Sequence, residues 1–211
     1  MRITKYGHCC LLVEEQGLRI LTDPGNYSSL QSGAREIDIV LITHEHTDHL
    51  HIDSVKEILV NNPVAKVITN ASVAKLLGAI GINAIVVGHE MSHTEEGVTF
   101  LGFGTEHAPI YPLWGKVENT GYFIGDRLFY PGDAFYDPKR PVDVLALPVA
   151  GPWCKISEAV DYALQVKPKH AFPIHDGGLK IMGGSHKVPD KVLNERGINF
   201  IALVEGQTVE F

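Results

Sequence analysis

The stretch His44-Glu45-His46-Thr47-Asp48-His49 places four side chains able to ligate a transition metal within six residues, directly after the apolar run Ile37-Asp38-Ile39-Val40-Leu41-Ile42. Imidazole nitrogens and carboxylate oxygens are the donors that borderline divalent ions prefer. On an extended segment leaving a strand, His44, His46 and Asp48 alternate onto one side, and His49 turns the chain away. His44 and His46 suit one ion and Asp48 with His49 a second. A single tetrahedral site has little use for four donors from one strand end, so the count points to two ions. Glu45 and Thr47 read as spacers. Three further donors follow later apolar runs: His107 after 98–103, Asp133 after Leu128-Phe129-Tyr130-Pro131-Gly132, and His175 after Ala171-Phe172-Pro173-Ile174. Each stands where a strand hands over to a loop, the place where sites on rigid scaffolds collect.

The elements that must position these donors are legible as short β-branched or apolar runs. Strands are predicted at 9–14, 18–22, 38–42, 64–69, 84–87, 98–103, 120–124, 127–131, 143–147, 169–174 and 199–204, bounded by Gly, Pro, Asn or Asp. Four segments read as helices. Asp53 caps a helix over 54–59, and Asn70 caps one over 71–77 with Gly81 just beyond it. Ser157 precedes a helical run to Val166 that Pro168 closes, and Pro189-Asp190 opens a last helix ended by Gly197. Each half of the chain thus supplies strands and then helices, which suits two sheets packed face to face with helices outside, a four-layer α/β sandwich, better than an alternating barrel.

A chain of 211 residues with 45% hydrophobic content can bury a full core, and one domain over residues 1–211 is expected. The net charge of −7, with both signs mixed along the chain, gives no basic stripe for a phosphate backbone. The expected partner is a small-molecule substrate, with no nucleic acid; self-association is compatible with the sequence. No apolar run approaches the roughly 18 residues needed to span a bilayer, and the first residues lack the apolar region of a signal peptide, so a soluble, cytoplasmic protein with no membrane partner is expected. Three cysteines, with Cys9 and Cys10 adjacent, make a poor disulfide framework. On a strand that pair faces opposite ways, and one of the two is expected to be buried and inert.

These motifs together resemble the metallo-β-lactamase superfamily. The HxHxDH hexad, a later His, a later Gly-Asp and a final His occur in the family's order over nearly the whole chain. The resemblance implies an αββα fold of two mixed β-sheets flanked by helices, with metals at one edge. It implies His44, His46 and His107 on metal 1, Asp48, His49 and His175 on metal 2, and Asp133 as the bridge. The openings Tyr6-Gly7-His8 and Leu21-Thr22-Asp23-Pro24-Gly25 resemble a small branch that includes the ascorbate-6-phosphate lactonase-like proteins.

The function expected is a binuclear metal-dependent hydrolase whose metal-bound hydroxide cleaves an ester, lactone or phosphodiester bond, with Asp48 as the catalytic carboxylate that orients the nucleophile. The cofactors are two divalent ions, zinc first, with manganese, iron and nickel suited to the same N/O donors. A non-catalytic metal-binding or sensor module is the alternative, followed by a metal-dependent oxidoreductase. The namesake activity is disfavoured, because Asp133 stands where secreted β-lactamases usually carry Cys.

Four residues around the centre have two readings each. Asp23 either fixes the tautomer of a ligand histidine or simply opens a turn before Pro24. His8 is a substrate contact or an ordinary strand histidine. His186, in Met182-Gly183-Gly184-Ser185-His186-Lys187, binds a leaving group or phosphate, or is a solvated loop histidine. Trp153 is part of the rim or core packing. Trp114, in the aromatic segment 108–115, is the best candidate for a pocket wall. His51, His89, His93 and His170 read as surface or structural.

Overall fold

A computed structural model describes all residues, 1–211. Its strands run β1 (Arg2–Gly7), β2 (Cys10–Glu15), β3 (Leu18–Thr22), β4 (Ile39–Ile42), β5 (Lys66–Thr69) and β6 (Ile85–Val86) in the first sheet. The second holds β7 (Ser92–Glu95), β8 (Val98–Phe103), β9 (Gly121–Ile124), β10 (Leu128–Tyr130), β11 (Val144–Pro148), β12 (His170–Ile174) and β13 (Asn199–Phe200), and β14 (Thr208–Glu210) returns to the first. The orders are β14-β1-β2-β3-β4-β5-β6 and β13-β12-β11-β10-β9-β8-β7. Each sheet has one antiparallel half and one parallel half; β3 to β6 pair in parallel, as do β10 to β13.

Parallel neighbours need a crossover, and helices supply four of them. α1 (Ile52–Asn61) and α2 (Ala71–Gly78) link β4 to β5 and β5 to β6, while α3 (Ile156–Val166) and α4 (Gly183–Glu195) link β11 to β12 and β12 to β13. The period-2 alternation of the parallel strands sorts their side chains between cores. Ile39 and Leu41 enter a central core with Phe100, Tyr122, Ala146 and Phe172 of the other sheet. Val40 and Ile42 meet Val55 and Ile58 of α1 and Val73 and Leu77 of α2. Leu145 and Leu147 meet Ala159 and Ala163 of α3 and Leu193 of α4. Three apolar layers therefore hold four structural ones together, the expected αββα sandwich, and each fully buried Ile, Leu or Phe contributes about 1.5–3 kcal/mol.

The differences from the sequence expectations have local causes. β1, β7 and β14 carry polar residues at every other position or more, and they were hidden because they lie at or near sheet edges. α1 starts at Ile52 with His51 at its cap, leaving Asp53 inside the first turn, and α3 starts at Ile156 after Lys155. α4 begins at Gly183, six residues before Pro189, which lies inside the helix. Cys9 and Cys10 face opposite ways, yet both are fully buried, because helices and the partner sheet cover both faces of the first sheet. Burial pushes the Cys9 thiol up to about 12. No helix is long and apolar enough to cross a membrane.

Asn70 caps α2 as expected, accepting from the Val73 N–H at 3.0 Å, and its amide also donates to the Thr43 carbonyl at 2.8 Å. One side chain therefore starts a helix and pins the segment that opens the histidine-rich loop. Asn70→Ala is expected to cost about 1–2 kcal/mol, read as a lower urea midpoint with an unchanged m-value.

Candidate metal centre

The donors gather where the strand ends of the two sheets meet. Residues 43–50 do not continue β4 in extended form. They fold into tight turns closed by His49 N–H and Leu50 N–H on the His46 carbonyl, at 2.9 and 2.7 Å. The hexad presents its side chains to one side through these turns and not through strand alternation. Asn26 N–H donates to the Thr47 carbonyl at 2.9 Å, laying the turn after β3 against this loop. Contact is so close at Gly25 that a Cβ would overlap the carbonyl oxygen of Asp48. Only glycine fits there.

Asp23 anchors this arrangement. Fully buried, it accepts from Thr43 N–H (2.8 Å), the Thr43 hydroxyl (2.8 Å), His49 Nδ1 (2.7 Å) and the Tyr130 hydroxyl (2.7 Å). With Nδ1–H committed to Asp23, Nε2 is the His49 nitrogen that faces the centre. His44 is set the same way by Nδ1 on the Thr43 hydroxyl at 3.0 Å, and His107 by Nδ1 on the Ala108 carbonyl. Burial, with His49 next, pushes the pKa of His44 well below the usual histidine range, so it is a neutral imidazole with a free nitrogen.

Two groups result. His44, His46, His107 and Asp133 each bring one donor atom within 4.8 Å of the others. His44 Nε2 and His46 Nδ1 are 3.1 Å apart, close to the roughly 3.3 Å that two nitrogens keep on one tetrahedral zinc. The second group comprises His8, Cys9, His49 and His175. Two of its members are committed elsewhere. The Cys9 thiol stays protonated, and His8 accepts the Gly177 N–H on Nδ1 (3.1 Å), so its Nε2–H donates to Asp48 (3.2 Å). His8 is buried, yet it is among the residues lining the cleft, and it holds Asp48, whose Oδ2 lies 3.6 Å from His175 Nε2 and 3.9 Å from His49 Nε2.

Asp133 stands between the groups, with Oδ1 3.1 Å from His49 Nε2 and Oδ2 2.8 and 3.2 Å from His175 and His107 Nε2. Burial opposes its charge, but His49 and then His175 outweigh that and hold its carboxyl well below the usual range. Burial likewise opposes charge on His49, and Asp133 foremost reverses it, raising the histidine well above its ordinary value. His49 Nε2, His175 Nε2 and Asp133 Oδ1 are buried atoms with no hydrogen-bond partner, despite lying so close together. They point at shared space instead of at each other. Three orphaned buried atoms are costly unless something electrophilic sits among them, so the donor set fits divalent metal.

The centre opens into a cleft of about 640 Å³. Trp114 lines it, as expected of the 108–115 segment, and is 73% exposed. Trp153 is both wall and support: its indole N–H donates to Asp133 Oδ2 at 2.9 Å. Glu45 is more than a spacer, for it reaches the cleft wall and accepts from the Ser72 hydroxyl at 2.7 Å. His186 departs from both of its readings. It is buried on α4, 2.8 Å from Asp176 Oδ2, and does not line the cleft. Asp176 in turn receives the buried Lys5 ammonium at 2.7 Å on both oxygens, which fixes the chain next to His175. Lys5, Asn119, Tyr130 and Asp176 were not singled out by the sequence. Asp176 follows a candidate ligand directly, and only that adjacency could have drawn attention to it.

Residues 2–175 match the Beta-lactamase superfamily domain, and a UPF0173 metal-dependent hydrolase of Carboxydothermus hydrogenoformans is 32% identical over 202 residues, covering 83% of this chain and 84% of that protein. The chain belongs to the β-lactamase superfamily, in the UPF0173 metal-dependent hydrolase family. Protein Rv0786c of Mycobacterium tuberculosis is 39% identical over 216 residues, spanning all of this chain and 95% of its own. Among solved structures, Igni18, a metallo hydrolase from Ignicoccus hospitalis, superposes with a TM-score of 0.78 at 20% identity over 100% of this chain and 98% of that one. That last likeness is one of fold.

Two outcomes are expected for this superfamily member. Asp23→Asn keeps the shape but weakens the hold on His49, and should lower metal affinity about 10–100-fold in chelator competition while near-UV CD is retained. Lys5→Met leaves the buried Asp176 carboxylate with His186 as its one remaining basic partner and should cost about 3 kcal/mol in denaturant unfolding. Burial works against the charge of Asp176, but His186 and Lys5 depress its pKa, so its stabilisation is complete above the ordinary aspartate value and is lost as pH falls through the depressed one. The gap between wild type and Lys5→Met should therefore narrow on acidification.

Proposed function

We propose that this protein is a binuclear metal-dependent hydrolase of small molecules, cleaving an ester, lactone or phosphodiester bond. The observation that carries it is the set of three buried donor atoms, His49 Nε2, His175 Nε2 and Asp133 Oδ1, left without hydrogen-bond partners beside a second group of four donors. His44, His46 and His107 would hold one ion, and Asp48, His49 and His175 the other, with Asp133 contributing to both; zinc suits these donors best. When bound, such a pair of ions acidifies a shared water and polarises the oxygen of the scissile group.

The protein supplies the rest. Burial opposes charge on Asp48, but the His8 hydrogen bond and then His49 lower its pKa, so it is an ionised acceptor at neutral pH. With one oxygen held by His8, its carboxylate can orient the attacking water and take a proton from it. Trp153 fixes Asp133 and, packed edge-on against His107 and His175, keeps bulk water from the donors. No serine or cysteine nucleophile is required, and Cys9 stays a protonated thiol in the core. The openings around His8 and Asp23, which resemble those of the lactonase-like branch, fit this reading, because both residues hold side chains of the centre.

Elemental analysis of the purified protein should find about two transition-metal ions per chain, and chelation should abolish hydrolysis, with zinc or manganese restoring it. Asp133→Ala is expected to lower metal content and to slow turnover by about a hundredfold or more. If the variant keeps both ions, the bridging role is wrong; a wild-type protein that neither binds these metals nor gains activity from them overturns the proposal.

A further inference from the structure

The cleft wall carries information that the metal ligands do not. Apart from the metal-ligand candidates, His8, Thr47 and Glu45, it is glycine, apolar or aromatic: Tyr27 and Leu179 on the side of His8 and His175, Ile110 and Trp114 on the side of His46 and His107, with Pro152 and Trp153 between. The Tyr27 ring is packed edge-on against His8 and lies over Gly178, where a Cβ would come within 3.3 Å of it, so this wall is built against the centre. No lysine or arginine lines the cleft. Lys116, just after the 108–115 segment, lines an adjoining hollow that shares His46, His107, Ile110 and Trp114 with the cleft, and its ammonium is tied to Glu106 at 2.6 Å. Glu45 adds a negative charge to the wall and is held there by Ser72. Phosphate esters are ordinarily gripped by Arg or Lys or by a helix N-terminus, and no residue of the first turn of any helix lines this cleft. A substrate phosphate outside the reacting bond would face Glu45 and apolar side chains.

Resting on the hydrolase reading above, the geometry points to an uncharged carboxylic ester or lactone with an apolar acyl part as the substrate class, the acyl part lying between Trp114 and Ile110 on one side and Tyr27 and Leu179 on the other. Such a body gains from leaving water along these walls, and a cleft of about 640 Å³ has room for a small molecule. The reaction consumes one water. Its oxygen bonds to the carbonyl carbon, the carbonyl carbon–oxygen single bond breaks, one proton goes to the departing alkoxide oxygen, and the other is released as the acid ionises. Glu45 disfavours anionic acyl groups and phosphorylated lactones alike.

The test uses metal-loaded protein and p-nitrophenyl acetate, butyrate and hexanoate beside bis(p-nitrophenyl) phosphate, with tryptophan emission as a second readout on titration with the inert ketone 4-phenyl-2-butanone. Expected are a kcat/KM rising with acyl length, at least about a hundredfold above the phosphodiester for hexanoate, and saturable quenching by the ketone. Trp114→Ala, a change at an exposed position, should lower kcat/KM for hexanoate by about tenfold, less for acetate, and reduce the quenching to the part that Trp153 contributes. A phosphodiester turned over as fast as the esters, rates indifferent to acyl length, or quenching unaffected by Trp114→Ala would overturn the substrate class while leaving the hydrolase intact. Fully metallated protein that cleaves neither class would overturn the hydrolase reading, and the substrate class with it.

Discussion

The carboxylate of Asp23 is the interaction on which the centre depends. It is a fully buried charge at the end of β3, and it receives donors from β4's exit (Thr43), from the ligand loop (His49) and from β10 of the opposite sheet (Tyr130). A buried carboxylate is tolerable only when it is surrounded by donors, and here each donor belongs to a segment that must be placed correctly for the metal ligands to converge. The same atoms that neutralise the burial cost set the histidine tautomer. Stability and ligand geometry are therefore one requirement at this position, which explains why a residue that touches no substrate lies at the middle of the hydrogen-bond network.

Around that anchor, support divides by sheet. Asn70 and Gly25 shape the hexad from the first sheet, one by donating to the Thr43 carbonyl and the other by leaving room for the Asp48 carbonyl. In the second sheet, Asn119 accepts the Asp133 N–H at 3.0 Å and donates to the Pro131 carbonyl, while the Lys5–Asp176–His186 cluster steadies the chain beside His175. Lys5 comes from β1 of the first sheet, and it also donates to the Pro173 carbonyl at 2.8 Å. Buried ionic groups of this kind are poor sources of net stability, but they fix the register between elements that apolar packing alone would leave free to slide.

What the sequence made legible was local, and what it concealed was distributed. The hexad lies within six residues, and the β4 and β11 alternations and the Asn70 cap are each written in a single short window. The positions of His107, Asp133 and His175 could be read because each ends an apolar run. By contrast, the Lys5–Asp176 pair spans 171 positions and Tyr130–Asp23 spans 107, so no spacing rule connects them. His186 looked solvated because two glycines precede it, but its contact with Asp176 draws that segment into α4. Edge strands such as β7, Ser-His-Thr-Glu, have no apolar face to betray them, and their pairing is decided by neighbours. Glu45, placed at an alternate position of an imagined extended loop, pointed away from the metals; the turns that replaced the strand brought it to the wall.

The donor set is divided between two layers that touch mainly through side-chain packing: His44, His46, Asp48 and His49 leave β4, whereas His107, Asp133 and His175 leave β8, β10 and β12. A cation held by both groups would tie the two layers together at the open edge of the sandwich. The walls of the cleft ride on the same two layers, Tyr27 after β3 on one and Trp114 after β8 on the other. Whatever joins the two donor groups would therefore also fix the distance between the two walls.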